Sequence, residues 1–188
     1  MKTEIIHLTA AIMVMIAGTG CFWNRSAAVV RERYDLPERK EREVCSLPLR
    51  LGVVKNYSGS RSNFTLRQSD NRIVEDEQRN WLMPPELMLE REFRTKFLTC
   101  GESEQLVSVD ALICRFELTE SGKYFDLTVV YQLRNRRKMV NVLSRKHIAV
   151  GSEGAAAAAL EGFERSFGDV IKVLPEFGIK LKNAGESR

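Results

Sequence analysis

The amino-acid sequence predicts an α/β fold: a single domain in which two main helices pack on one mixed, mostly antiparallel sheet. Several runs alternate apolar and polar residues with the period of a strand, and two longer segments repeat apolar residues every three or four positions, the period of a helix. The segments follow the order strand, hairpin, helix, several strands, helix, which is not the alternation of a repeated βαβ barrel. The 188 residues, 44% hydrophobic and 29% charged, supply one real core and lie far from the profile of a disordered chain. No internal repeat is visible.

The first strand falls on SLPLRLGVV, where Leu47, Leu49, Leu51 and Val53 alternate and are expected on one face. After the turn YSGSRS, the segments FTLRQ and NRIVED flank Ser69, Asp70 and Asn71 and read as a hairpin. The first helix is expected in PPELMLEREFRTKFL. Pro85 suits the first helical position, Glu86 complements the helix dipole, and Leu89, Phe93 and Phe97 share a face.

A short strand at EQLVSV is expected next, followed by three longer ones. ALICRFEL places Leu112, Cys114, Phe116 and Leu118 on one side, and YFDLTVVYQL does the same for Phe125, Leu127, Val129, Tyr131 and Leu133. The third strand is MVNVLSRKHIAV, joined to the second by the charged turn RNRRK, which reads as a solvated tip. The second helix spans Ser152 to Leu174, with Leu160, Phe163, Phe167, Val170 or Ile171, and Leu174 inward. Its alanines 155 to 159 favour helix and close approach to the sheet.

Ahead of this domain, Lys2 precedes an apolar stretch from Ile5 to Ala17 and the small residues Gly18, Thr19 and Gly20. That is the layout of a secretory signal peptide. At about a dozen residues the apolar run is shorter than the roughly 20 a spanning helix needs. Small residues directly before Cys21 are similar to a bacterial lipobox, in which the cysteine is acylated and becomes the first mature residue; an ordinary cleavage site beside a thiol is the alternative. Several acyl chains, palmitate among them, would hold Cys21 at a membrane, each buried methylene contributing about 0.8 kcal/mol. Phe22 and Trp23 suit the interface. The expected organisation is signal peptide 1–20, lipid anchor and charged tether 21–43, domain 44–182 and a flexible tail 183–188. Tyr34 and Leu36 are expected to form a short edge strand within the tether.

Much chemistry finds no support in the sequence. The net charge of +4, from 29 basic and 25 acidic residues mixed along the chain, gives no clustered basic face for nucleic acid. His147 is the one histidine beyond the signal peptide and lies in a strand pattern without a partner motif; a structural role is expected, so no catalytic residue is assigned. Cys45, Cys100, Cys114 and His147 lack the short paired spacing of structural zinc sites, and there is no nucleophile elbow or phosphate-binding loop. No cofactor or metal is expected. One disulfide among Cys45, Cys100 and Cys114 is compatible with an oxidising compartment, while Cys114 is equally readable as a buried small hydrophobe.

Taken in order, a lipobox-like start, Tyr34-x-Leu36, the strand LRLGVV, a hairpin, an Arg-x-Trp region and a helix resemble the ABC-type transport auxiliary lipoproteins, the PqiC-like family. Trp81 and Pro84 match the order and spacing of that family's R-W-A-E-P type motif; Asn80 is an insertion, and Leu82 and Met83 replace its small and acidic residues. The C-terminal half is similar too, with consecutive strands and a helix alanine-rich near its start.

The resemblance implies a non-enzymatic lipoprotein at the periplasmic face of the outer membrane, accessory to an intermembrane lipid transport system. Its partners would be an MCE-type substrate-binding protein and an ABC permease and ATPase. Rings formed by similar proteins extend this to a homo-oligomer. Trp81 and Pro84 are the candidates for partner docking, with Trp81 alternatively a core residue that seats the first helix. A structural envelope lipoprotein of a secretion or cell-wall assembly is the competing reading.

Overall fold

The computed structural model describes residues 30–38, 45–99 and 106–179, and the compact unit that carries the sheet begins at Glu32. Its elements run β1 (Glu32–Tyr34), β2 (Cys45–Leu47), β3 (Leu49–Asn56), β4 (Asn63–Arg67), β5 (Ile73–Trp81), α1 (Pro85–Lys96), β6 (Phe97–Thr99), β7 (Val107–Thr119), β8 (Tyr124–Arg134), β9 (Met139–Ala149) and α2 (Gly154–Val173). A 3-10 turn over Leu174–Phe177 follows α2. The main sheet has the order β1-β5-β4-β7-β8-β9, with β3 also beside β7, while β2 and β6 form a separate parallel pair.

The longest pairings, β7 with β8 and β8 with β9, are antiparallel, as is the β4–β5 hairpin. β1 on β5, and β3 and β4 on β7, are parallel. The sheet is therefore mixed and mostly antiparallel, with two helices, the class the apolar periods predict. β3 and β4 divide one edge of β7 between them: β3 takes Val107 to Ile113, and β4 meets it at Leu118.

Two bulges change which residues face inward. In β7, Cys114 is the extra residue between Ile113 and Arg115, so Val107, Val109, Ala111 and Ile113 are buried before it and Phe116 and Leu118 after it. The expected face of Leu112, Cys114, Phe116 and Leu118 is thus corrected, because an inserted residue reverses the period-two phase. Leu112 points to the opposite side, and Cys114 is a free, exposed thiol rather than a buried hydrophobe or disulfide partner. A second irregularity at Gly52 and Val53 does the same to β3, where Leu49 is buried and Val53 is 57% exposed. Leu47 belongs to β2, cut from β3 at Pro48, so the expected single strand over 46–54 is two. The separate strand expected at EQLVSV is instead the start of β7.

Both helices lie against the same side of the sheet. Pro84 precedes α1 in extended conformation, and its carbonyl accepts from the amides of Leu87 and Met88 at 3.1 Å each. Pro85, Met88, Leu89, Glu92 and Phe93 form the buried stripe. The helix stops at Phe97, whose extended backbone starts β6 while its ring stays in the core. In α2 the buried stripe is Ala158, Ala159, Leu160, Gly162, Phe163, Ser166, Phe167 and Val170. At Gly162 a Cβ would meet Leu127 Cδ2 at 3.4 Å, so the absent side chain brings the helix down onto β8.

Between helices and sheet lies a continuous core dominated by aromatic rings. Trp81 stacks on Phe64 with centroids 4.1 Å apart, and Phe116, Phe125 and Phe163 continue the cluster edge to face and stacked. Leu36 is buried in it and β1 pairs with the end of β5; the edge strand expected over Tyr34 and Leu36 is instead Glu32–Tyr34, with Leu36 following it as a core residue.

Candidate functional site

With the helices on one side, the other side of β3, β7, β8 and β9 is left open by the described residues. Alternation fixes what it shows: Lys55 and Tyr57 from β3 and its end, Asp110, Leu112, Arg115 and Glu117 from β7, the even-numbered residues 124–134 of β8, and the odd-numbered residues 139–149 of β9. The register aligns these side chains in rows across the strands.

One row is a charge ladder. Arg67 of β4 holds Glu117 through Nε at 2.6 Å and Nη2 at 3.1 Å, and Arg115 adds a contact to Glu117 at 3.2 Å. Arg115 also reaches Asp126 at 3.4 Å, and Asp126 meets His147 Nδ1 at 2.5 Å. The His147 ring stacks on Tyr124 at 4.2 Å. His147 is therefore the end member of a hydrogen-bonded and ion-paired ladder on the sheet surface. The paired acid raises the pKa of Arg67 further above its ordinary value, the hydrogen bond that Arg67 donates to Glu117 outweighing the opposing effect of burial.

Beyond the row of Arg115, Thr128 and Arg145, toward the other end, the next row is apolar. Leu112, Val130 and Leu143 stand opposite one another on β7, β8 and β9, and Lys55 of β3 pairs with Leu112 at the row's end. Lys55, Leu112 and Val130, with Val53 and Tyr57, line an open groove of about 530 Å³ whose floor includes Gln132 and Asn141, and Leu143 continues the row beside it. Leu143 is 52% exposed and Tyr57 68%. Asp110, at the groove margin, accepts from the Val53 amide at 2.8 Å and contacts Arg134 at 3.4 Å.

Trp81 is not on this surface. It is 3% exposed and enclosed by Phe64, Phe116 and Phe125, which corrects its candidacy as an exposed docking aromatic and realises the alternative of a core residue beside the first helix. An indole at the end of β5 is driven there by the same burial that seats its neighbours. Pro84, half-buried three residues on, serves as the N-terminal boundary of α1. Cys21 and Cys100 lie outside the described residues, as do the signal-peptide segment and the tail; Cys45 starts β2. Among the described residues no cluster of His, Cys, Asp and Glu is arranged to hold a metal, and no helix is long and apolar enough to cross a membrane.

Sequence periodicity did not reveal the apolar row. Leu112, Val130 and Leu143 come from three strands, and only the bulge at Cys114 turns Leu112 to the same side as the other two. The overlooked signal was the apolar pair Val129-Val130: when one of two adjacent strand residues is buried, the other faces out.

Fold and surface together define a mixed α/β domain with helices on one sheet face and an apolar, cation-edged groove on the other. Neither a protein-family model nor a curated protein matches the chain. Among solved structures it is similar to one described only as an uncharacterized protein, with a TM-score of 0.57 and 11% identity over 76% of this chain and 97% of that one. Protein XCC0632 from Xanthomonas campestris, assigned to a family designated DUF330, aligns at a TM-score of 0.49 with 12% identity over 79% of this chain and 95% of the other. The first likeness is one of fold.

Proposed function

We propose that this chain is a non-enzymatic, membrane-anchored lipoprotein accessory to an ABC/MCE-type intermembrane lipid transport system, which docks or positions the transport assembly at the periplasmic face of the outer membrane. The observation that carries the reading is the order of features along the chain: small residues before Cys21, Tyr34 and Leu36, the hairpin, Trp81 and Pro84 ahead of a helix, then three long strands and an alanine-rich helix. In this reading acylated Cys21 fixes the chain to a leaflet and the charged segment after it sets the reach. The folded domain meets an MCE-type protein carrying lipid to or from an ABC permease and ATPase. With Trp81 in the core, the contact surface shifts to the open sheet face.

Purification from native membranes through a C-terminal tag, followed by mass spectrometry, tests this. The expected result is an acylated Cys21 with MCE and ABC subunits alongside. An acylated protein without those subunits points to the structural envelope lipoprotein, and an unmodified soluble protein overturns the anchored reading altogether.

A further inference from the structure

We infer that the open sheet face is a seat for an anionic phospholipid, whose acyl chain lies along Leu112, Val130 and Leu143 and whose phosphate is held by Lys55 or Arg145. This deepens the accessory reading and rests on it for the supply of lipid.

Charge decides the sign of the occupant. On β3, β7, β8 and β9 each carboxylate of this face is already engaged: Asp110 by the Val53 amide and Arg134, Glu117 by Arg67 and Arg115, Asp126 by Arg115 and His147. Lys55 and Arg145 are exposed and have no carboxylate within ion-pair distance among the described residues. The charge this face offers to an incoming group is therefore positive.

Geometry decides its kind. Lys55 and Leu143 stand on strands three inter-strand spacings apart, about 14 Å, with Leu112 and Val130 between them. Arg145 follows two residues beyond Leu143 on the same face, about 7 Å along β9. Cations therefore flank the row on two sides. Leu112, Val130 and Leu143 offer no hydrogen-bonding side-chain groups, so the row suits a hydrocarbon chain, which requires none. An acidic peptide would bring polar groups that find no partner on these three side chains, only on Gln132 and Asn141 beside them.

The test is flotation of the full chain carrying Cys21→Ser, so that acylation contributes nothing, with vesicles of phosphatidylglycerol or of phosphatidylcholine. The N-terminal apolar segment is common to every variant, so differences between variants report the face alone. The parent should partition to phosphatidylglycerol well above phosphatidylcholine. K55Q combined with R145Q should lower the phosphatidylglycerol partition by about thirtyfold, roughly fivefold for each basic residue at an anionic surface. Leu143→Glu, at an exposed position that leaves the core untouched, should lower it as well, with an unchanged melting temperature as the check on folding.

Equal partition of the parent to both lipids, or of the parent and the double variant to phosphatidylglycerol, overturns the proposal. If the double variant floats like the parent but no longer recovers the MCE-type protein from membranes, the face binds an acidic protein, and the lipid seat is refuted while the accessory reading stands. Failure of that reading shows separately, as absence of transporter subunits from the native purification.

Discussion

Replacing Trp81 with alanine separates an interior role from a docking role. The indole is 3% exposed and is held by Phe64 at 4.1 Å, Phe116 at 5.3 Å and Phe125 at 6.4 Å between centroids. A buried aromatic removes roughly 150 to 250 Å² from water, which at about 25 cal/mol per Å² gives an upper bound of about 4 to 6 kcal/mol. Core truncations of this size cost about 3 to 5 kcal/mol, a large share of the roughly 5 to 15 kcal/mol that holds a domain folded. With a urea slope of about 2 kcal/mol per molar, a loss of about 4 kcal/mol moves the midpoint down by about 2 M. Far-UV circular dichroism is the readout, because the substitution removes one of the chain's two tryptophans. Trp81→Phe keeps a ring against Phe64 and should lose less than half as much. An unchanged midpoint in Trp81→Ala, together with lost recovery of the partner proteins, would refute the interior role and restore the docking one.

Other substitutions address the same core and its rim. The Tyr131 hydroxyl donates to Ser166 Oγ at 2.7 Å, since Ser166 gives its own proton to the Phe163 carbonyl at 2.6 Å. Tyr131→Phe should therefore cost about 1 kcal/mol, whereas Ser166→Ala strands a buried hydroxyl and should cost about 1 to 3 kcal/mol; urea melts showing the reverse order would contradict this donor assignment. Burial pushes the Asp169 carboxyl up, but hydrogen bonds from Lys146, Lys172 and Ser144 outweigh it and bring its pKa down to about 2 from an ordinary 3.8. The resulting stability is present above pH 4 and is lost as pH falls toward 2; discounted for partial exposure it amounts to about 1 to 2 kcal/mol, and Asp169→Asn should flatten the acid limb of a stability profile by that amount. Gly168 lies within α2 with open space where a Cβ would go, so Gly168→Ala should add about 0.5 to 1 kcal/mol and raise the melting temperature by about 2 °C. Gly162→Ala should gain less, because its Cβ would press on Leu127 at 3.4 Å.

The legible parts of the fold were those with unbroken periods. β8 runs with Phe125, Leu127, Val129, Tyr131 and Leu133 all buried, and the alternation alone assigns them. The Leu160, Phe163, Phe167, Val170 and Leu174 stripe of α2 was equally plain, as was the hairpin at residues 69–71, where Asn71 takes a positive φ of 66°. Periods failed wherever one residue was inserted. Cys114 and the Gly52-Val53 step each reverse the phase of a strand, and nothing local marks Cys114 as the extra residue. At Gly52 a marker did exist. A Cβ there would come within 2.0 Å of Asp110 Oδ1, the atom that accepts the next residue's amide, so the bulge requires a residue without a side chain. The open groove was illegible for a related reason: its members are distant in sequence and meet only through the register of four strands.

That register also argues that the groove is covered at some stage of the protein's work. Single exposed apolar residues are ordinary on protein surfaces and require no cause. A sheet face left to water normally takes polar side chains at its outward positions, and the adjoining row does so with Arg115, Thr128 and Arg145. One step along, three consecutive strands place Leu112, Val130 and Leu143 in line. The cations beside them, Lys55 and Arg145, are left without acidic partners because the ladder and the Val53 amide have taken the carboxylates. A surface kept only for solubility would gain from the opposite arrangement, with polar groups in the row and its charges paired. The aligned row and its unpaired cations therefore indicate an amphiphilic, anionic occupant, and the same residues would have to move together if that occupant were exchanged for another.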